Sequence, residues 1–282
     1  MIKRSYLPGE DWLYYKIYCG KRTADQLLVE EIQPLVQELT QEERIDQWFY
    51  LRYSDPQPHL RLRFLSPNTE HRNYLQQRIP AALTSYFQKD LIWKVQMDTY
   101  NRELERYGTT TIELSEYVFS VNSQLCLNVL EHLTNDTHVF LISLKVIDEL
   151  LNSFGYTLDD KINLSKENFE AFKDEFNADK QLKKQLNIKY QQLKEDINST
   201  LKASISSFEF LKTHELYNEP YSQILQRLKI GLSEEAIALD DYLSSQIHMF
   251  INRIFRDKQR LHELVCYSCL YRYYNLQKNT NA

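Results

Sequence analysis

The segment Trp48 to Leu65, WFYLRYSDPQPHLRLRFL, constrains the fold more than any other stretch of the chain. Its second half alternates strictly: Leu60, Leu62 and Phe64 fall on one side, and His59, Arg61 and Arg63 on the other. That period of two belongs to a β-strand. Its first half, Trp48 to Tyr53, is aromatic and β-prone, and Ser54, Asp55, Pro56 and Pro58 separate the halves. Proline cannot donate to a central ladder, so the segment reads as two strands joined by a turn. Strand rise sets the successive members of the His59, Arg61, Arg63 row about 6.5 to 7 Å apart, and Arg52 at the end of the preceding strand could join them. Adjacent like charges on one face repel unless something anionic lies among them. The row is therefore either a solvated face with acidic neighbours or a prepared anion site.

The flanking sequence supplies the rest of a sheet. Trp12 to Cys19 is aromatic and β-rich, and Ala24 to Leu39 has helical spacing after a candidate N-cap at Thr23, with Pro34 as a candidate kink. Asn68 or Thr69 caps a helix from about Glu70 to Gln88 with Pro80 inside it, and Trp93 to Tyr100 alternates as a fourth strand. The order β-α-β-β-α-β predicts a ferredoxin-like unit over residues 1–108, with helices on one face of an antiparallel sheet and the other face free. From Thr109 onward the two-residue period disappears, so residues 109–282 are expected to be all-helical, giving an α+β chain that works as one functional domain. Within this part Phe169 to Leu201 is polar with sparse apolar positions and is expected to be a protruding or loosely packed helix pair. Ser204 to His214 and Tyr221 to Ile230 read as short helices, and Ser233 to Leu276 as two helices broken near Asp257.

Composition removes several function classes. The net charge of −5 provides no global field for nucleic acid, so direct nucleic-acid binding is not expected and any anion binding must be local. No run of 18 apolar residues suggests a membrane span, and the N-terminal residues show no apolar signal segment. The five glycines form neither G-x-G-x-x-G nor a P-loop. Cys266 and Cys269 form one C-x-x-C, which lacks the further ligands zinc needs and the preceding strand of a redox motif, so both read as structural. No metal or organic cofactor is implied, and four cysteines suit a reducing cytoplasm.

Two further places could carry chemistry. The segment Tyr100 to Gly108, YNRELERYG, holds Arg102 and Arg106, which share a face if a helical turn begins there and which Glu103 and Glu105 could equally pair. His248, in HMFINR, sits at the edge of an apolar stripe formed by Ile247, Phe250, Ile251 and Ile254, from which it could be aimed at the sheet or serve as a satisfied structural group.

Taken together, WLYYKIY, then WFYLRYSDPQPHLRLRF, then YNRELERYG, then HMFINR resemble the C-terminal domain of lantibiotic dehydratases, a domain that also occurs alone in thiopeptide biosynthesis. The resemblance covers nearly the whole chain and is poorest over Asn163 to Leu201. It implies removal of glutamate from glutamylated serine and threonine of a precursor peptide, leaving dehydroalanine or dehydrobutyrine. It implies a separate, larger subunit that performs the glutamylation, and it leaves a homodimer as one expected assembly. It matches Arg61, Arg63, Arg102 and His248 to catalytic positions, with Arg52, His59 and Arg106 as substrate-binding candidates. Two departures stand out: Thr109 occupies the place of a frequent glycine, and Asn122-Ser123 the place of a frequent D-S. The competing expectations are a pyridine-forming cycloaddition of two dehydroalanines on the same fold, and a non-catalytic subunit that grips a leader peptide by strand addition.

Overall fold

The computed structural model describes residues 2–211 and 219–281, so the predicted helix Ser204 to His214 lies partly outside the described residues; Ile205–Ser207 and Glu209–Leu211 are 3-10 turns. Four strands, β2 (Trp12–Cys19), β3 (Gln47–Tyr53), β4 (His59–Leu65) and β5 (Ile92–Met97), form one antiparallel sheet in the order β3-β4-β2-β5. A two-stranded ladder, β1 (Ser5–Tyr6) with β6 (Tyr100–Asn101), was not foreseen; two residues per strand are too few to show alternation. Among the described residues no strand follows Asn101.

Between β2 and β3 the chain runs through α1 (Lys21–Leu27), a π-helical turn (Leu28–Ile32) and α2 (Gln33–Gln41). Gly20, and not Thr23, stands at the N-cap. The wide turn explains how Pro34 is accommodated: proline lacks an N–H and its ring would strike the carbonyl four residues back in a regular α-helix. Helix α3 (Thr69–Gln88) joins β4 to β5 and is capped by Asn68, whose side chain accepts from the Glu70 and His71 N–H groups at 2.8 and 3.2 Å.

The remaining described elements are α4 (Leu104–Tyr107), α5 (Ile112–His132), α6 (Asp136–Ser153), α7 (Leu158–Glu175), α8 (Lys180–Lys202), α9 (Glu219–Glu234), α10 (Leu239–Ile254) and α11 (Gln259–Asn281). The break near Asp257 falls between α10 and α11, as the sequence suggests. The expected loose packing of Phe169 to Leu201 is corrected. Phe169 and Phe172 of α7 are buried beside Tyr271 and Tyr267 of α11, and α8 buries Leu186, Tyr190, Leu193, Ile197 and Leu201. One apolar stripe at helical spacing is enough to seat a helix, however polar its other faces are.

Helices α5 and α10 seal the β3 edge of the sheet with side chains. The Tyr50 N–H donates to Ser123 Oγ at 3.2 Å, Arg253 Nε donates to the Tyr50 carbonyl at 2.9 Å, and Asn252 both accepts from the Arg52 N–H and donates to the Arg52 carbonyl at 2.9 Å. Ser123 and the Asn252-Arg253 pair thus do the work of a fifth strand and close an edge that would otherwise invite pairing.

Candidate active site

Register fixes which side chains share a face. Arg63 lies opposite Tyr14 and Phe49, Arg61 opposite Lys16 and Leu51, and His59 opposite Tyr18 and Tyr53. These nine residues therefore share one face of β2, β3 and β4. The loop and helices after β5 fold over this face, and a cavity of about 240 Å³ remains between them. Its walls include Tyr14, Lys16, Arg61 and Arg63 from the sheet, Asp98 to Asn101 beyond β5, Tyr107 from α4, Phe119 from α5 and Met249 from α10.

Arg63 is the most informative group in it. It is 7% exposed, and its guanidinium lies 4.3 Å from the Tyr14 ring centre, 4.7 Å from Tyr100 and 5.1 Å from Phe49. Its Nε and Nη1 are buried with no hydrogen-bond partner. Aromatic faces attract a cation without consuming its donors, so this permanently charged fork is held in place with its hydrogen-bonding capacity unspent. Arg61, half-buried, packs over the Tyr53 ring at 3.4 Å and donates from Nε to His59 Nε2 at 3.2 Å. His59 in turn donates from Nδ1 to the Gln57 carbonyl at 2.8 Å and stacks on Tyr18. Burial holds its pKa below the ordinary value, with the charges of Arg61 and Lys16 acting in the same direction. His59 is thus a neutral support for Arg61 rather than a third cation.

Glu103, which pairs with Arg106, is one of the charged residues of the lining, and so are Lys16 and Asp98, neither of which was a site candidate from the sequence. Lys16 and Asp98 form an ion pair. Burial works to raise the Asp98 carboxyl and is outweighed by hydrogen bonds from Lys16 and the Thr99 N–H, so its pKa lies below the ordinary value. A usable signal existed for Lys16: it is the one charge in an aromatic strand, on the same parity as Tyr14 and Tyr18.

The other sequence candidates are distributed differently. Arg52 does not join the row, and that expectation is corrected: it lies opposite Leu60 on the other face, pairs with Asp25 at 2.6 Å and donates to the Arg253 carbonyl at 2.7 Å. Arg102 is buried behind the cavity, not in its lining. Its Nε and Nη2 bond the two oxygens of Glu116 at 2.8 and 2.6 Å, and Tyr100 Oη donates to the same carboxylate at 2.7 Å. Since Tyr100 is one wall of the Arg63 box, Arg102 acts on the site by fixing that wall. Arg106 is exposed and paired with Glu103 at 3.2 Å. His248 is partly exposed on α10, with Nδ1 bonded to the buried carboxylate of Glu263 at 2.7 Å; its neighbour Met249, not His248 itself, lines the cavity. The two departures are also placed. Thr109 donates from N and Oγ1 to Glu235 at 2.6 and 2.8 Å, and Ser123 belongs to the β3 seal.

Comparison with known proteins bears on the family and the fold. Residues 12–274 match the family described as lantibiotic biosynthesis dehydratase C-term. The subtilin biosynthesis protein SpaB of Bacillus subtilis is 24% identical over 277 residues, 96% of this chain and 26% of SpaB. The nisin biosynthesis protein NisB of Lactococcus lactis subsp. lactis is 32% identical over 141 residues, 48% of this chain and 13% of NisB. This chain therefore spans about a quarter or less of the length of these relatives. Among solved structures, the tRNA-dependent lantibiotic dehydratase MibB from Microbispora sp. 107891 superposes with a TM-score of 0.71 at 19% identity, covering 96% of this chain and 29% of MibB. TbtD, a pyridine synthase from thiomuracin biosynthesis, superposes with a TM-score of 0.58 at 15% identity, covering 95% of this chain and all of TbtD. With the family match spanning nearly its whole length, this chain belongs to the lantibiotic dehydratase C-terminal family.

Proposed function

We propose that this chain removes glutamate by β-elimination from glutamylated serine and threonine side chains of a ribosomal precursor peptide. A separate glutamylating protein would supply the ester, and the reaction would take place in the cytoplasm. The observation that carries the reading is the Arg63 guanidinium, buried in a cavity beside Arg61 with Nε and Nη1 unpartnered. In the elimination a base takes the Cα proton, the electron pair forms the Cα–Cβ double bond, and the Cβ–O bond breaks to release a carboxylate. Negative charge develops on the neighbouring peptide oxygen and on the departing group. Preorganised cations aimed at such charge are commonly the largest catalytic contribution, and a guanidinium fork meets a carboxylate with two parallel hydrogen bonds. No electrons are exchanged with an outside carrier, so the step calls for no redox cofactor.

In this reading Arg61 and Arg63 hold the departing glutamate and the enolate oxygen. Arg102 is a positioning residue that acts through Glu116 and Tyr100. The family resemblance matches His248 to a catalytic position without deciding which group takes the Cα proton; were it His248, which stands outside the cavity lining, the Glu263 carboxylate on Nδ1 would orient its ring and leave Nε2 for the proton. Arg52 and Arg106 are left without substrate contact. The N-terminal unit is read as ferredoxin-like on its strand order and its two crossover helical segments. The test is to incubate the protein with a peptide carrying an O-glutamylated serine and to follow its mass. Loss of one glutamic acid per site supports elimination; recovery of intact ester after prolonged incubation rejects it.

A further inference from the structure

The two edges of the sheet are treated differently. At β3 the outward backbone groups are occupied by Ser123, Asn252 and Arg253. At β5 no strand pairs with them among the described residues. The Asp98 N–H donates to the Tyr14 carbonyl at 3.0 Å, so Asp98 faces β2. Backbone direction alternates along an antiparallel strand, so Gln96 also faces β2, and the N–H and C=O of Val95 and Met97 point away from the sheet. Among the described residues no strand lies beyond β5. The side chains here are also unusual. Nine large hydrophobic residues are exposed among those described, and five of them, Phe87, Leu91, Trp93, Val95 and Met97, fall within eleven residues of sequence that end on this edge. Natural edge strands usually carry charges or cover against unwanted pairing; this one combines open backbone groups with apolar side chains.

The edge leads into the candidate active site. Asp98 and Thr99, which follow Met97 directly, line the cavity. Lys16, paired with Asp98, lies opposite both Gln96 of β5 and Arg61 of β4, so a row of polar and charged side chains crosses the face from the edge strand toward β4. We propose that the free edge of β5 takes an extended segment of the substrate peptide as an added strand, while the glutamylated residue beyond that segment enters the Arg61–Arg63 cavity. This deepens the elimination reading and rests on it for the identity of the occupant, an extended peptide bearing an anionic ester. Its backbone would meet Val95 and Met97, and the carboxylate of its ester would meet the arginines. Three strand spacings separate such an added strand from β4, about 14 Å. About four extended residues cover that distance, so the reacting residue would lie about four positions from the paired segment.

The test uses two synthetic peptides with one O-glutamylated serine each. The long one has about eight residues on either side, enough for a strand of usual length; the short one has about two, too few to reach from the edge to the cavity. In the wild-type protein the long peptide should bind at least about tenfold more tightly, and it should protect the Val95 and Met97 amides from hydrogen exchange. Val95→Pro removes one outward donor, a substitution edge strands tolerate. It should raise the KM of the long peptide by about tenfold, leave its kcat within about twofold, and leave turnover of the short peptide unchanged. The exchange measurement needs no variant and stands even where Val95→Pro fails to fold. Unchanged exchange at both amides with the long peptide bound, or equal kcat/KM for the two peptides, would overturn the edge proposal while leaving elimination intact. Protection of both amides without release of glutamate would uphold the edge proposal and reject elimination.

Discussion

Arg63 and Arg102 are both almost fully buried, both lie over tyrosine rings that stack on each other (Arg63 over Tyr100, Arg102 over Tyr6), and both descend from arginine-containing motifs of the N-terminal part. Their surroundings differ in one respect. Arg102 has a buried carboxylate of its own, Glu116, bound through two nitrogens, and a further bond to the Lys3 carbonyl at 3.1 Å. Arg63 has aromatic rings on three sides and buried nitrogens without acceptors. A buried charge that is paired holds a structure together only as long as its partner remains; a buried charge that is boxed but unpaired is ready for an anion that arrives later. On the proposed reading the first is scaffold and the second is site.

The comparison can be broken most forcefully from the Arg102 side. Glu116→Ala leaves a buried guanidinium without its carboxylate, and such a loss costs about 3 to 5 kcal/mol. Urea denaturation should show it, and a loss below about 1 kcal/mol would mean that Arg102 is not held as described. The matching change on the other side is Arg63→Met. It gives up cation–π attraction, about 0.5 to 2 kcal/mol, and relieves the cost of burying unsatisfied donors, about 1 to 3 kcal/mol. These oppose each other, so stability measured the same way should change by less than about 1 kcal/mol. A large loss from Arg63→Met would make the two arginines alike and dissolve the distinction.

A smaller effect sharpens the account of the row itself. The pKa of His59 is lowered in the folded protein, so the unfolded chain takes up a proton first as pH falls. Its contribution to stability is therefore present above the unfolded pKa, near the ordinary value of 6.5, and declines as pH drops below it. His262, lowered by burial too, adds a decline of the same sign. His59→Gln should remove only its own share, making the melting temperature less sensitive to pH between about 6.5 and 5. An unchanged slope would mean that His59 is not the neutral partner of Arg61.

The sequence carried the sheet and the shared face of His59, Arg61 and Arg63 because both depend on strict alternation, which Leu60, Arg61, Leu62, Arg63 and Phe64 display without interruption. It carried the break between α10 and α11 for a similar reason, since the apolar stripe stops before Asp257. What alternation could not give was a partner from another element. Nothing near Arg102 in the chain distinguishes Glu116 from Glu103, Glu105 or Glu113, and only the packing of α5 selects it. Arg52 was misplaced because its parity must be counted across the turn to β4, where the intervening residues set the register. Lys16 and Asp98 are far apart in sequence and meet only through the pairing of β2 with β5.

The central claim is that Arg63 is held charged and unpaired in order to meet negative charge during elimination. Its most direct test is single-turnover release of glutamate from a glutamylated precursor peptide by the Arg63→Ala and Arg63→Lys proteins, each with a thermal melt. Loss of one preorganised donor costs about 3 to 4 kcal/mol in the transition state, so Arg63→Ala should melt near the wild-type temperature and release glutamate about 10² to 10³ times more slowly. Arg63→Lys should recover part of the rate, because the charge returns without the bidentate fork. Wild-type rates from both variants, with wild-type melting, would contradict the claim and reduce the cation row to an ordinary sheet face.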